Sequence, residues 1–203
     1  LVHQIETKYP TNAQYREQLE EANTLVRKQQ QDLETLQLKT GTDFLTNVAN
    51  RSAYNEHMMD IARQYGNVFP LVVLDIDHFK KVNDSHGHSA SDSVLRDVAK
   101  VLSDCSRASD FLARYGGEEF VYILPETKSE QAALIGGKLR KLIEAATFKH
   151  ADSEIPVTIS CGVATVIPGD ETSEELFARA DAALYKAKER GRNRIEISES
   201  ETP

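Results

Sequence analysis

Two glycines and two glutamates, Gly116-Gly117-Glu118-Glu119-Phe120, lie between two apolar runs, and no other stretch constrains the fold as strongly. Phe111-Leu112-Ala113-Arg114-Tyr115 before it and Phe120-Val121-Tyr122-Ile123-Leu124 after it both read as strands. A glycine pair between such runs predicts a tight antiparallel hairpin, because two-residue turns use backbone angles that glycine adopts freely. Adjacent carboxylates at the tip repel each other, and a nearby cation is the simplest compensation. The expectation is a hairpin that carries a metal site.

Upstream, residues 11 to about 39 are rich in Gln and Glu and contain neither proline nor glycine. Tyr15, Leu19, Ala22, Val26, Leu33 and Leu36 recur at alternating steps of three and four, interrupted by the polar Gln29. That stripe is too narrow for the core face of a globular helix and fits a parallel coiled-coil dimer, with a single helix lying on the domain as the alternative. Residues 1–39 are thus expected to form a helical coiled-coil stalk, 40–198 a folded domain and 199–203 a C-terminal tail. Thr40-Gly41-Thr42-Asp43 forms the linker, where glycine can close the helix. Helices are expected over 50–64, 89–106, 129–148 (opened by Ser129) and 173–190, and strands over 69–76, 156–167 and 194–197. Interleaved strands and helices with one antiparallel hairpin predict a mixed sheet with helices on its faces.

A net charge of −8 without a long basic run argues against a general nucleic-acid binder. Cys105 and Cys161 have no metal-like spacing and suit free thiols in a reducing cytoplasm. No apolar stretch approaches the ~20 residues that span a membrane, and no signal peptide opens the chain. A cytoplasmic location is expected, with no membrane association within this segment. The first residue is Leu1, which suggests a piece of a longer protein.

The strand ending Leu74-Asp75-Ile76-Asp77 puts acidic groups at its C-terminal edge, where α/β sheets usually bind ligands. Beside the glycine hairpin, Asp75, Glu118 and Glu119 would converge as hard oxygen ligands for magnesium, a site suited to phosphoryl or nucleotidyl transfer. Strand alternation is taken to turn Asp77 away from Asp75, leaving only one as a direct ligand. Lys80 lies close enough to reach a triphosphate, and the amide of Asn83 with the carboxylate of Asp92 can read a guanine edge. Lys186, Lys188, Arg190 and Arg192 gather at a helix C-terminus, where dipole complementation is the plainer explanation. His86 and His88 lack a third soft ligand for zinc.

Taken in order, Asp43-Phe44-Leu45-Thr46, Asn50-Arg51, the LDIDHFKKVND run, Gly87-His88, Asp92, the RYGGEEF run and the YKAKERGRN run resemble the GGDEF domain of diguanylate cyclases from about residue 40 to 198. The resemblance implies an α+β, ferredoxin-like palm fold, with a mixed, mostly antiparallel sheet flanked by helices. It implies condensation of two GTP to cyclic di-GMP and two pyrophosphates, one GTP per subunit of a dimer. Asp75, the Ile76 carbonyl, Glu118 and Glu119 would hold two Mg2+ (Mn2+ being possible) per half-site, with Glu118 assisting deprotonation of the attacking hydroxyl. Lys80, Lys188 and Arg192 would hold phosphates. Asn83 and Asp92 would read guanine, His88 would line the pocket, and Gly116 and Gly117 would let the backbone approach the phosphates.

Arg107-Ala108-Ser109-Asp110 stands where the family carries its RxxD inhibitory site, with Lys138 as a supporting cation for bound cyclic di-GMP. The stalk would hold the homodimer together and offer a grip to a regulatory protein. Two positions depart from the family pattern: Asn47 and Ser91 each stand where glycine is usual. The rival reading is a catalytically silent GGDEF domain that acts as a cyclic di-GMP or GTP receptor. Silent members usually lose an acidic residue of the hairpin, and this chain keeps both.

Overall fold

The structure, a computed structural model, describes residues 12–64, 69–151, 153–166 and 172–198, so the expected tail at 199–203 lies outside the described residues. The chain divides after Thr40 into two units. The first is one helix, α1 (Asn12–Thr40). Its seam side chains Tyr15, Leu19 and Val26 are each more than half exposed. The side chains of Leu33 and Leu36 lie outside those described. Gly41 follows in the left-handed region at φ 66, the conformation that terminates helices.

The second unit begins with α2 (Arg51–Gln64), β1 (Pro70–Ile76) and α3 (Phe79–Cys105). The hairpin strands β2 (Phe111–Arg114) and β3 (Glu119–Ile123) come next, then α4 (Ser129–Ala145). A small hairpin of β4 (Phe148–His150) and β5 (Ser153–Ile155) precedes β6 (Ile159–Thr165), α5 (Ser173–Glu189) and β7 (Ile195–Ile197). The five-stranded sheet has the order β2-β3-β1-β6-β7 and is antiparallel except for the β6–β7 pair.

The central strand β1 is apolar at consecutive positions because both faces of the sheet are covered. Val72, Leu74 and Ile76 join the cluster built with Val94, Val98 and Leu102 of α3 and Leu139 and Ile143 of α4. Leu71 and Val73 join the opposite cluster, with Tyr54, Met58 and Ile61 of α2 and Leu176, Ala180 and Leu184 of α5. Asp75 follows Leu71 and Val73 in alternation, which places it on the α5 side.

Three expectations need correction. The long helix α3 starts at Phe79 rather than Ser89, because it is two helical segments joined across Gly87 (φ 79, ψ 170). The helix expected to reach residue 148 stops at Ala145, and Phe148 instead packs into the core from β4. The strand expected from Pro156 begins at Ile159.

Candidate active site

The hairpin loop is longer than a two-residue turn. Arg114 pairs with Phe120, and the Tyr115 and Gly116 amides both donate to the Glu119 carbonyl, at 2.8 and 3.3 Å. Neither Gly116 nor Gly117 has a left-handed φ, so conformational freedom is not what requires glycine there. A Cβ on Gly116 would stand 2.6 Å from Glu119 Oε2, whereas one on Gly117 would meet nothing within 4 Å. Gly116 makes room for a carboxylate, and Gly117 leaves the tip open to an approaching ligand.

Arg114 fixes this loop. Its Nε and Nη2 donate to the Gly117 carbonyl at 3.2 and 2.7 Å, while Nη1 donates to Asp43 at 3.0 Å. Asp43 also accepts from the Thr46 amide and hydroxyl, and these partners hold its carboxyl below the usual range despite partial burial. The Asp-Phe-Leu-Thr segment is thus a brace that locks the hairpin tip. The sequence pattern includes Asp43 without revealing this role and assigns Arg114 none; the signal available is an arginine two residues before the glycine pair.

Asp75 pairs in register with Glu119 on one side and Ser160 on the other. Lys188, from the last turn of α5, places its Nζ 2.8 Å from Asp75 Oδ2. Burial nevertheless pushes the Asp75 carboxyl above its ordinary range, against the pull of Lys188 and Arg192. Glu118 and Glu119 are raised too, first by burial and then by the charge of Asp75. Among the described residues no three acidic, His or Cys side chains are close enough to hold a metal ion. The expected three-carboxylate convergence is therefore incomplete: the group that meets Asp75 is the lysine, since uncompensated carboxylates repel. The donor chemistry still fits a hard divalent cation, as these are oxygen donors whose charged forms are disfavoured first by burial and also by a neighbouring carboxylate.

Asp77 has a different fate from the one expected. Residues two apart on a strand share a face, so alternation cannot separate it from Asp75. Asp77 lies just beyond the end of β1, where its carboxylate accepts from Thr158 Oγ1 (2.7 Å), Ser160 Oγ (2.6 Å) and the Asn193 amide (3.0 Å). It is a tie between the end of β1 and the loop after α5.

The α3 residues form a second group. Asn83 and Asp92 are half-buried on either side of the Gly87 break, and Ser91 hydrogen-bonds Asn83. Lys80 and His88 are exposed on the same helix. Arg192 sits at φ 63 with its amide on the Ala187 carbonyl, half-buried beside Lys188. Ile76 donates its amide to the Glu118 carbonyl at 3.3 Å, coupling the strand end to the hairpin.

A family described as diguanylate cyclase, GGDEF domain matches residues 40–194. The chain belongs to that family. A GGDEF relative, the diguanylate cyclase DgcP of Pseudomonas aeruginosa, is 43% identical over 169 residues, covering 82% of this chain and 25% of DgcP. Diguanylate cyclase A of Treponema denticola is 36% identical, covering 81% of this chain and 46% of that protein. The chain thus spans from a quarter to under half of these relatives' length. Among solved structures, the coiled coil and GGDEF domain of DgcB from Caulobacter crescentus in complex with c-di-GMP superposes with a TM-score of 0.74 at 34% identity. That comparison covers 90% of this chain and 98% of the DgcB chain. The diguanylate cyclase SiaD from Pseudomonas aeruginosa, in complex with its activator SiaC, gives 0.73 at 32% identity, over 90% of this chain and 74% of SiaD.

On the far side of this GGDEF domain, Arg107 is exposed and Asp110 half-buried at the turn between α3 and β2. Asp110 Oδ2 accepts from the Arg107 amide at 2.8 Å, whereas its Oδ1 is buried without a hydrogen-bond partner. Lys138 is exposed on α4. Its neighbour Arg140 is committed elsewhere, to Glu144 (2.7 Å) and Asn193 (2.8 Å). None of the described helices is long and apolar enough to cross a membrane.

Proposed function

We propose that this chain is the catalytic part of a diguanylate cyclase, joining two GTP into cyclic di-GMP with release of two pyrophosphates. The observation that carries the reading is the electrostatics of the sheet edge. Three carboxylates are held above their ordinary pKa, and a removable lysine is the only cation bonded to the most buried of them among the described residues. Groups perturbed by burial and a specific charge partner cluster at functional sites.

Asp75, the Ile76 carbonyl, Glu118 and Glu119 would hold two magnesium ions, or manganese, which supply charge neutralisation at the α-phosphate and acidify the 3′-hydroxyl. Lys188 would then leave Asp75 for the triphosphate, joined by Lys80 and Arg192. Asn83 and Asp92 would receive the guanine, with His88 at its margin. Glu118, with its raised proton affinity, suits acceptance of the proton from the attacking 3′-hydroxyl. Gly116 and Gly117 would admit the phosphates against the bare backbone.

Each site binds one GTP, so the hydroxyl in one subunit must meet the α-phosphate in the other. Alignment of this kind can contribute on the order of 7–11 kcal/mol. The exposed seam of α1 suits a parallel coiled coil that raises the local concentration of the two domains. It also offers a regulatory protein a place to alter crossing or register. The buried, unpartnered Asp110 Oδ1 supports an inhibitory site, because a guanine N–H would satisfy it while Arg107 and Lys138 meet product phosphates. A GTP-consuming reaction of this sort belongs in the cytoplasm.

The direct test is incubation with GTP and magnesium followed by product analysis. Cyclic di-GMP should form and should vanish in Glu119→Ala. Binding without turnover in the parent chain would refute the enzyme and favour a receptor.

A further inference from the structure

The kink in α3 brings two side chains together that sequence distance would keep on separate turns. Asn83 lies in the first helical segment, and Ser91 in the second, beyond Gly87. Ser91 is 2% exposed, with its Oγ 2.5 Å from Asn83 Oδ1 and 3.0 Å from the Gly87 carbonyl oxygen. A serine hydroxyl carries one proton, and the shorter contact is to the asparagine. That bond ties down the amide oxygen and leaves the Nδ2 hydrogens as the end available to a ligand.

We infer that Ser91 is a positioning residue that sets which end of the Asn83 amide a purine meets. The inference rests on Asn83 and Asp92 being the guanine readers. With its oxygen anchored, Asn83 offers donors, which suit the O6 and N7 acceptors of guanine and clash with the N6 amino group of adenine. Asp92, next in sequence to Ser91, offers acceptors for the guanine N1–H and N2–H2. An unanchored amide can turn about χ2 and exchange donors for acceptors at little cost. Glycine, usual in the family at this position, has no hydroxyl, so the device belongs to this chain.

Equilibrium binding of a non-hydrolysable GTP analogue and of its ATP counterpart, with magnesium, tests this without requiring turnover. Ser91→Ala and Ser91→Gly should each weaken the guanine nucleotide about three- to tenfold, the range of one lost hydrogen bond, and change ATP-analogue binding much less. Asn83→Ala should weaken it at least as much, and adding Ser91→Ala to that variant should bring no further loss. Thermal unfolding of each variant confirms that the fold is intact. If Ser91→Ala and Ser91→Gly both bind as tightly as the parent, or if the serine penalty persists undiminished without Asn83, the inference is overturned. If Asn83→Ala itself binds normally, the assignment of Asn83 to guanine falls and Ser91 falls with it. Loss in Asn83→Ala alone removes only the role of Ser91.

Discussion

Gly162 offers the sharpest test of how the sheet supports the site. It lies mid-strand in β6, opposite Val73 of β1 and Glu196 of β7, directly beneath α5. A methyl group at this position would stand 2.0 Å from the Ala180 carbonyl oxygen and 2.3 Å from the Leu184 nitrogen. Both are helix backbone atoms, so no rotamer change relieves the overlap. Ordinary carbon contacts begin near ~3.5 Å, so α5 must retreat by more than about 1 Å. Leu176, Ala180 and Leu184 are buried under that helix, and a retreat opens voids around them. Overpacking and the accompanying cavity should together cost about 3 kcal/mol in Gly162→Ala. For a domain of this size that is roughly 6–12 °C in Tm by calorimetry. The same helix delivers Lys188 to Asp75, so the KM for GTP should rise as well. Gly117→Ala is the control, because its Cβ meets nothing and Tm should move by less than about 1 °C. A Gly162→Ala protein that melts within about 1 °C of the parent would refute the claim that close strand–helix approach positions α5.

Arg114→Met removes three hydrogen-bonding groups that fix the hairpin tip, and kcat/KM should drop about 10- to 100-fold with the far-UV circular dichroism unchanged; undiminished turnover would show that the brace is dispensable. The raised carboxyls of Asp75, Glu118 and Glu119 mean that protons compete with metal at higher pH than for ordinary acids, so Mn2+ affinity should fall as pH drops through that raised range. In metal-free protein the folded state binds more protons than the unfolded state there, so stability should decline as pH rises from the ordinary carboxylate range through the raised one. Glu118→Gln should flatten that decline in pH-dependent denaturant melts, and an unchanged slope would count against it. Arg107→Ala should relieve inhibition by added cyclic di-GMP, and retention of full inhibition would remove the proposed feedback site. Deletion of residues 1–39 should depress specific activity most at low protein concentration; a loss independent of concentration would argue against a dimerising stalk.

The features legible in the sequence were those with a local period. The FPLVVLDI run announced a strand buried on both faces, and the apolar runs around the glycines announced a hairpin. The first segment of α3 was obscured because Asn83, Asp84, Ser85 and Gly87 are turn formers, and packing of Phe79 and Val82 into the core outweighs them. The reason for Gly116 was equally hidden, since it depends on where the Glu119 carboxylate folds back rather than on a backbone angle. Asp43 and Arg114 are 71 residues apart, and no periodicity links them. The Asp77 partners Thr158, Ser160 and Asn193 come from elements that only the finished sheet brings together.

Asp75 and Asp77 show how one strand end separates structure from chemistry. Both are buried to nearly the same degree, at 6% exposure each, so burial alone cannot assign their roles. Asp77 has two hydroxyl donors at the start of β6 and a backbone amide from the loop after α5, all neutral groups carried on short side chains or the main chain. Asp75 has one ammonium on a flexible stem, and its proton affinity stays raised even so. A carboxylate satisfied by fixed neutral donors gains little from a metal, which would first have to displace them. One satisfied by a mobile cation can exchange that cation for a stronger one, and the freed lysine is then available for the phosphates that arrive with it. The difference between the two aspartates is therefore the exchangeability of their partners, and that is why the proposed metal role falls to Asp75 rather than Asp77.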